Sequence, residues 1–289
     1  METGCRRAIL FLLFSPLFGT GFAQTETPVK VDKPLKSYSH WYFGAEYGVP
    51  FLFGDFTSFS ADKTYVGSQF GGFAGYQVNS WIGIEASART GYTRMGAKSY
   101  AGDYLMNADG MTYYTNQDFN TWKYKDVFSK VHFTNIGLQM NLNVNNFFGP
   151  NRGNRRWTVL LGPAVYAQHF STELINKADK SPLSGKKTDK WNIGIGGDVS
   201  LRYKISRAFD VQLRTGIIWV NNNKMDGIST LIKSKDHFMT SAGLSLIWKV
   251  GKKKEDNVLY ASRRAADVEI RYIAVSYTHL RAHETRHDL

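Results

Sequence analysis

The stretch Ile193-Gly-Ile-Gly-Gly-Asp-Val-Ser-Leu-Arg-Tyr-Lys-Ile-Ser-Arg-Ala-Phe-Asp-Val-Gln-Leu-Arg-Thr-Gly-Ile-Ile-Trp219 decides the fold class. Ile193, Ile195, Val199, Leu201 and Tyr203 alternate with Asn192, Gly194, Gly196, Asp198, Ser200 and Arg202. Across the Ser206-Arg207 turn, Phe209, Val211, Leu213, Ile217 and Trp219 oppose Asp210, Gln212, Arg214 and Gly216. A repeat of two is the signature of a strand, because successive side chains point to opposite faces. Two such runs joined by a short polar turn make a hairpin.

The same alternation recurs in six more runs: Trp41–Val49, Phe70–Val78, Ile82–Tyr92, Ile136–Val144, Trp157–Ala167 and Thr240–Trp248. That gives eight strands. The connections alternate in length. Asn79-Ser80 and Ser206-Arg207 are tight turns, and Asn145–Arg156 is about a dozen residues. The other four, near 51–64, 94–128, 171–189 and 221–237, are long and polar. Long loops all at one end are what a meander inserted from one side of a membrane produces. The sequence therefore predicts an all-β fold, an eight-stranded antiparallel up-and-down transmembrane β-barrel.

Composition agrees. The 289 residues carry 36 Lys+Arg against 24 Asp+Glu, a formal net charge of +12, with 15% aromatics and 27 Gly. Mean hydropathy is −0.33, and beyond the N-terminus no apolar run reaches the roughly 20 residues a spanning helix needs. One cysteine, Cys5, excludes a disulfide scaffold and a cysteine-based zinc site.

The polar face of the strands decides which side is inside. It is rich in Gly, Ser, Asn and Gln, with isolated charges near strand middles: Glu46, Glu85, Asp198, Arg89, Arg202 and Arg214. Three acids balance three arginines, as a sealed interior requires, since an unpaired buried charge costs several kcal/mol. Glycines on that face are expected to let side chains from opposite walls interdigitate. Trp41, Trp81, Trp157 and Trp248 fall at the short-turn end, and Trp191 and Trp219 at the long-loop end, as two interfacial aromatic belts. Trp122, in the longest loop, is the exception.

The ends read differently. Residues 1–23 have the charged start, apolar stretch and small-x-small site of a secretory signal, with Arg6, Arg7 and Gly21-Phe22-Ala23 as its marks. Residues 24–38 form a polar leader, 39–250 the barrel, and 251–274 the start of a periplasmic linker. Val275 to Thr285 matches the translation of a transposase adapter used in sequencing libraries. Residues 275–289 thus read as a sequencing-adapter artefact and the chain as a truncated metagenomic fragment, so His279, His283 and His287 carry no functional weight.

Signal, eight strands, four long loops and interior acid–arginine pairs together resemble the membrane domain of outer-membrane protein A and its relatives, over about residues 40–250. Ser241-Ala-Gly-Leu-Ser-Leu-Ile-Trp248 is similar to the assembly signal of such barrels. The resemblance implies that Gly243, Leu246 and Trp248 are read by the barrel-insertion machinery of a Gram-negative outer membrane, with both barrel termini periplasmic. It also implies a peptidoglycan partner, through a C-terminal domain beyond the visible chain.

For chemistry, an eight-stranded barrel is just wide enough to fill with side chains, so the charged set reads as a structural plug rather than a conduction path. His169 and Ser171 share a face and are the candidates for a lipid-modifying enzyme, with no acid evident beside them. His40, His132 and His237 are scattered and do not read as a metal set. Lys177, Lys180, Lys186, Lys187 and Lys190 load the third long loop, enough to attract phosphates of surface glycolipid. The second, with Tyr100, Tyr104, Tyr113, Tyr114, Phe119 and Trp122, is unusually aromatic. Arg152, Arg155, Arg156, Arg207 and Lys252 to Lys254 sit on the periplasmic side, facing anionic headgroups. The expectation is a non-catalytic outer-membrane barrel without cofactor or metal, structural or envelope-anchoring in role. Its expected partners are outer-membrane lipid and surface glycolipid, not nucleic acid. A small or gated diffusion pore, a surface adhesin and a lipid-modifying enzyme stand as alternatives.

Overall fold

The computed structural model describes residues 38–98, 104–105, 122–148, 155–183, 188–220, 225–228, 237–252 and 255–261. The expected signal, most of the linker and the adapter-like tail lie outside them. Eight long strands run through the described residues: β1 Trp41–Phe53, β2 Ser68–Gln77, β3 Ile82–Ala97, β4 Val127–Asn143, β5 Trp157–Asn176, β6 Thr188–Lys204, β7 Phe209–Val220 and β8 His237–Lys249. Each pairs antiparallel with its sequence neighbour. β8 returns to β1, in register from Phe238↔Phe53 to Lys249↔Tyr42. The sheet is closed, so no strand presents an unpaired edge to lipid.

The outer wall carries the apolar parity. Ile84, Ile136, Leu138, Val165, Ile195, Leu213 and Leu246 are all exposed there. Such a band is costly in water and stable in a bilayer. The inner parity of the same strands buries Glu46, Glu85, Asn135, Gln139, Gln168 and Arg214. The barrel spans a membrane.

Several strands outrun the sequence reading. β3, β4, β5 and β6 are 16, 17, 20 and 17 residues long, whereas a spanning strand needs about 9–11. At roughly 3.3 Å per residue the surplus lifts the wall by about 20–30 Å along the strands. The ends of what read as long loops are therefore wall, and the β5–β6 connection shrinks to residues 177–187. β2 is the short strand. The two-residue strand Phe56–Thr57 fills the gap above it, pairing with Phe53 on one side and Ala97 on the other.

Two further corrections concern filling. The dozen-residue connection after β4 opens with a short helix, α1 Val144–Phe148. The interior glycines face their direct cross-strand neighbours rather than opposite walls. Tyr42 lies over Gly75, Phe73 over Gly44 and Tyr166 over Gly137, each ring occupying the space a Cβ would need. Pro163 interrupts the β4–β5 register between Gln139↔Ala164 and Leu142↔Leu161, as expected of a residue without an N–H.

At the short-turn end the chain past β8 folds back. Asp256–Asn257 pairs in parallel with Tyr38–Ser39, and a 3-10 turn, Val258–Tyr260, is buried there. Leu259 and Tyr260 pack on Leu160 inside the wall.

Candidate functional site

Three levels of the lumen and one hollow on its outer wall carry the groups capable of chemistry. In the middle, Arg214 on β7 is the hub. Its Nη2 lies 2.7 Å from Glu85 Oε1, Nη1 3.5 Å from Glu46 Oε2, and Nε 3.8 Å from Asp198 Oδ2. Arg89 Nε reaches Glu46 Oε1 at 2.9 Å. Glu85 also accepts from Tyr42 Oη at 3.0 Å and Asn141 Nδ2 at 3.2 Å. The Arg214 guanidinium lies 4.8 Å above the Phe73 ring. Period two delivers these residues inward from six strands, and closure of the barrel brings them within reach of one another.

Arg202 differs from the sequence expectation. Its guanidinium donates to Gln212 Oε1 at 2.8 Å and stacks 4.7 Å from the Tyr42 ring, rather than meeting a carboxylate. A pair that the reading passed over joins the interior. Asp210 binds Lys249 and accepts from Tyr260 Oη at 2.7 Å. Both residues sat on the polar parity, but the partner that completes the set, Tyr260, comes from beyond the barrel and carries no periodic signal. Lys204 and Lys249 lie 4.8 and 4.7 Å from the Tyr260 ring, and Lys204 meets Asp256 at 2.9 Å. This closes the lower mouth.

The upper lumen is apolar, contrary to a uniformly polar interior. Leu52, Phe56, Met95, Val131, Phe133, Phe170 and Met239 form one buried cluster, with Trp122 packed against it. The connection after β7 enters this end. Asp226, fully buried, accepts from the backbone N–H groups of Asp55 and Phe56 at 2.9 and 3.0 Å. Ser129 Oγ donates to the Asp226 carbonyl at 2.9 Å. Burial pushes the Asp226 carboxyl up to about 6, against the lowering effect of those N–H groups. His237 does not stand alone, as the sequence suggested. Its Nε2 is 3.8 Å from Asp226 and 4.0 Å from Asp55, and one ligand atom from each of the three lies within 4.8 Å of the others. Since Asp226 Oδ2 already takes two N–H donors, the set reads as a clamp between two loops.

On the outer wall, loop residues 62–65 fold against β3, β4 and the β5–β6 turn around a hollow of about 390 Å³. Lys63, Arg94, Lys130, Lys177 and Lys180 line it with Asp62. Lys177 pairs with Asp62. Tyr65 and Phe128 stack at its floor, centroids 6.2 Å apart.

His169 lies on the outer wall too. An acid that the sequence did not reveal, Asp189, is bound to its Nε2, and the ring packs against Trp191 at 5.0 Å. Ser171 stands opposite Asp189 in the β5–β6 register. The imidazole is thus turned to the acid and the indole, and among the described residues no hydrogen bond joins it to Ser171.

Of the assembly-signal residues, Gly243 faces inward against Glu46, while Leu246 and Trp248 point outward. Trp41, Trp157 and Trp248 are exposed at one end of the outer wall, and Trp191 and Trp219 toward the other. Trp81 is half-buried against Phe147, 6.1 Å between centroids. Tyr104 is bridged to Lys123. Tyr100, Tyr113, Tyr114, Phe119, Arg152, Lys186, Lys187, Lys253 and Lys254 lie outside the described residues.

No protein-family model matches the chain, and no curated protein matches it. Solved barrels do. A major outer membrane protein from Thermus thermophilus is 11% identical with a TM-score of 0.43, covering 73% of this chain and 99% of its own. Neisserial surface protein A is 12% identical at 0.41, covering 73% and 97%. Ail, the attachment invasion locus protein of Yersinia pestis, solved with a heparin analogue, is 10% identical at 0.41, covering 74% and 100%. The likeness is to the barrel type and does not single out the outer-membrane protein A branch. What the chain has in common with them is the fold, an antiparallel membrane-spanning β-barrel.

Proposed function

We propose that this is a closed, non-conducting barrel whose working part is the wall raised outside the membrane, used for binding at the cell surface. One observation carries the reading: among the described residues, packed side chains cross the lumen at three successive levels. The Asp210–Lys249–Tyr260 group occupies the lower mouth, the Arg214 network the middle and the Phe133–Phe170–Met239 cluster the top. A diffusion path would have to cross an apolar plug about as costly to hydrate as any protein core. Strands longer than the bilayer needs have no anchoring use, whereas they do hold loops rigidly above the surface.

In this reading the protein is exported, inserted by the barrel machinery through Gly243, Leu246 and Trp248, and held by its tryptophan belts. The envelope-anchoring role expected from the sequence depends on chain beyond residue 261, outside the described residues. Planar-bilayer recording of the refolded protein tests the proposal. Silence at both polarities is the expected result, and discrete conductance steps would overturn it in favour of a gated pore.

A further inference from the structure

The hollow between residues 62–65 and the β5–β6 turn is the strongest unassigned feature of the wall, and its contents point to a ligand class. Five cations face one acid around about 390 Å³, a volume in the range of small-molecule sites. Pairing of Lys177 with Asp62 leaves a surplus of four positive charges. Arg94 and Lys130 are direct cross-strand neighbours, like charges that repel, while Glu173 stands opposite Lys130 on its other side. Such an arrangement is stabilised by an anion between them, and a phosphate suits it, since Arg binds phosphate bidentately and Lys as a point charge. The floor is aromatic. Arg94 lies 5.7 Å from the Phe128 ring and Lys63 5.0 Å from Tyr65. An aromatic floor rimmed by cations fits a sugar ring carrying phosphate better than a bare inorganic ion.

Position narrows the source. Arg94, Phe128, Lys130 and Ile175 all point outward by the parity of their strands. The hollow therefore opens sideways from the wall rather than at the tip. On β4 the exposed apolar residues end at Ile136, and Lys130 stands six residues further out, about 20 Å along a strand that tilts by roughly 40°. That height lies just beyond the bilayer interface, where the sugars and phosphates of an outer-leaflet glycolipid stand and where long Lys and Arg side chains reach down.

Resting on the surface-binding reading, we infer that the Arg94–Lys130 hollow holds the phosphorylated sugar headgroup of a glycolipid in the surrounding leaflet. Native mass spectrometry of the refolded barrel in zwitterionic detergent tests it, with bis-phosphorylated lipid A, its dephosphorylated form and soluble glucosamine phosphate as probes. Phosphorylated lipid A should bind at least tenfold more tightly than the dephosphorylated form. The gap should close in Arg94→Gln/Lys130→Gln, with a milder loss in Lys130→Gln alone. Both variants should keep their heat-dependent gel shift, the sign of a folded barrel.

Equal binding of the two lipids, or undiminished binding by the folded double variant, overturns the site. Soluble glucosamine phosphate binding as tightly as the lipid overturns the leaflet as its source. Conductance of the same preparations is read separately. A silent barrel with no lipid preference sinks the hollow alone, whereas a conducting one sinks the surface-binding reading whatever the hollow does.

Discussion

The two halves of the lumen are built on opposite principles, although the same strands line both. Below, Glu46, Glu85, Arg89, Asp198 and Arg214 are held by ion pairs and hydrogen bonds. Above, Leu52, Phe56, Met95, Phe133 and Phe170 are held by apolar contact. Strand β4 shows the exchange within one chain. Its inward residues are Asn143, Asn141, Gln139, Gly137 and Asn135, then Phe133, Val131, Ser129 and Val127. Its outward residues change the opposite way, from Leu138 and Ile136 to Thr134, His132 and Lys130. The parity never slips; its polarity inverts near residue 134. Where lipid surrounds the wall, apolar side chains face out and polar ones must satisfy one another inside. Where water surrounds it, the wall reverts to the ordinary rule of an apolar interior. The crossover recurs on β5, where inward Gln168 gives way to Phe170, and on β3, where inward Arg89 gives way to Met95. It marks one edge of the membrane-facing band.

If that is right, the halves should fail differently. The largest effect is expected below. Arg214→Met leaves Glu46, Glu85 and Asp198 buried with their hub removed, and losing one partner of a buried set costs about 3–5 kcal/mol. Urea unfolding in lipid should show that loss for the whole barrel. A loss under about 1 kcal/mol would mean that the acids are solvated and the plug leaks. Above, Phe170→Ala opens a cavity costing about 3–5 kcal/mol in a well-packed core, yet the damage should stay local. Amides of β4 and β5 beyond residues 134 and 169 should lose hydrogen-exchange protection, while the lower barrel keeps its protection and its gel shift. Uniform loss along both strands would make the lumen one cooperative unit and erase the distinction.

The same inversion explains what the sequence revealed and what it withheld. Strand number and facing were legible because each run kept apolar residues on one parity over five or more positions; Glu46, Glu85, Arg89, Asp198, Arg202 and Arg214 are buried on the other. Residues 127–134 and 168–176 also alternate, but with Val127, Val131, Phe133, Phe170 and Leu174 on the other parity. Read for apolar-out strands, they pass for loop. Pairings that need closure were illegible for another reason. Asp226 meets Asp55 and Phe56 across about 170 residues, and Asp189 reaches His169 only through the β5–β6 register. No local pattern encodes such distances.

A smaller effect tests the packing of rings against the wall in the lower half. Gly75→Ala would place a Cβ in the Tyr42 ring. The ring must move, taking its hydroxyl from Glu85 and Asn141. Overpacking of this kind costs about 1–3 kcal/mol. The neighbouring Gly72, whose Cβ position meets nothing closer than 3.5 Å, provides the matched control, and Gly72→Ala should be near neutral. Equal losses at the two positions would point to backbone freedom rather than ring space.

The smallest effect belongs to the clamp at the upper end. Asp226 ionises in the unfolded chain near 3.8, but its folded value is pushed up to about 6 because burial disfavours the charge. The folded clamp therefore holds its proton more tightly than the open one. This group's contribution to closure is fully present below about 3.8 and is lost as pH rises through 6. His237 and Asp55 face the same carboxyl and can titrate with it, so the assignment needs a variant. Exchange of the Asp55 and Phe56 amides, corrected for its intrinsic pH dependence, should be better protected at pH 5 than at pH 7.5. Asp226→Asn keeps an oxygen acceptor for both N–H groups and cannot ionise, so it should flatten that difference without opening the loop. A slope that survives in Asp226→Asn, or one of opposite sign in the parent, would move the proton to His237 or Asp55. The clamp would then close on an ion pair rather than on a neutral acid, and the upper lumen would share the electrostatic logic of the lower.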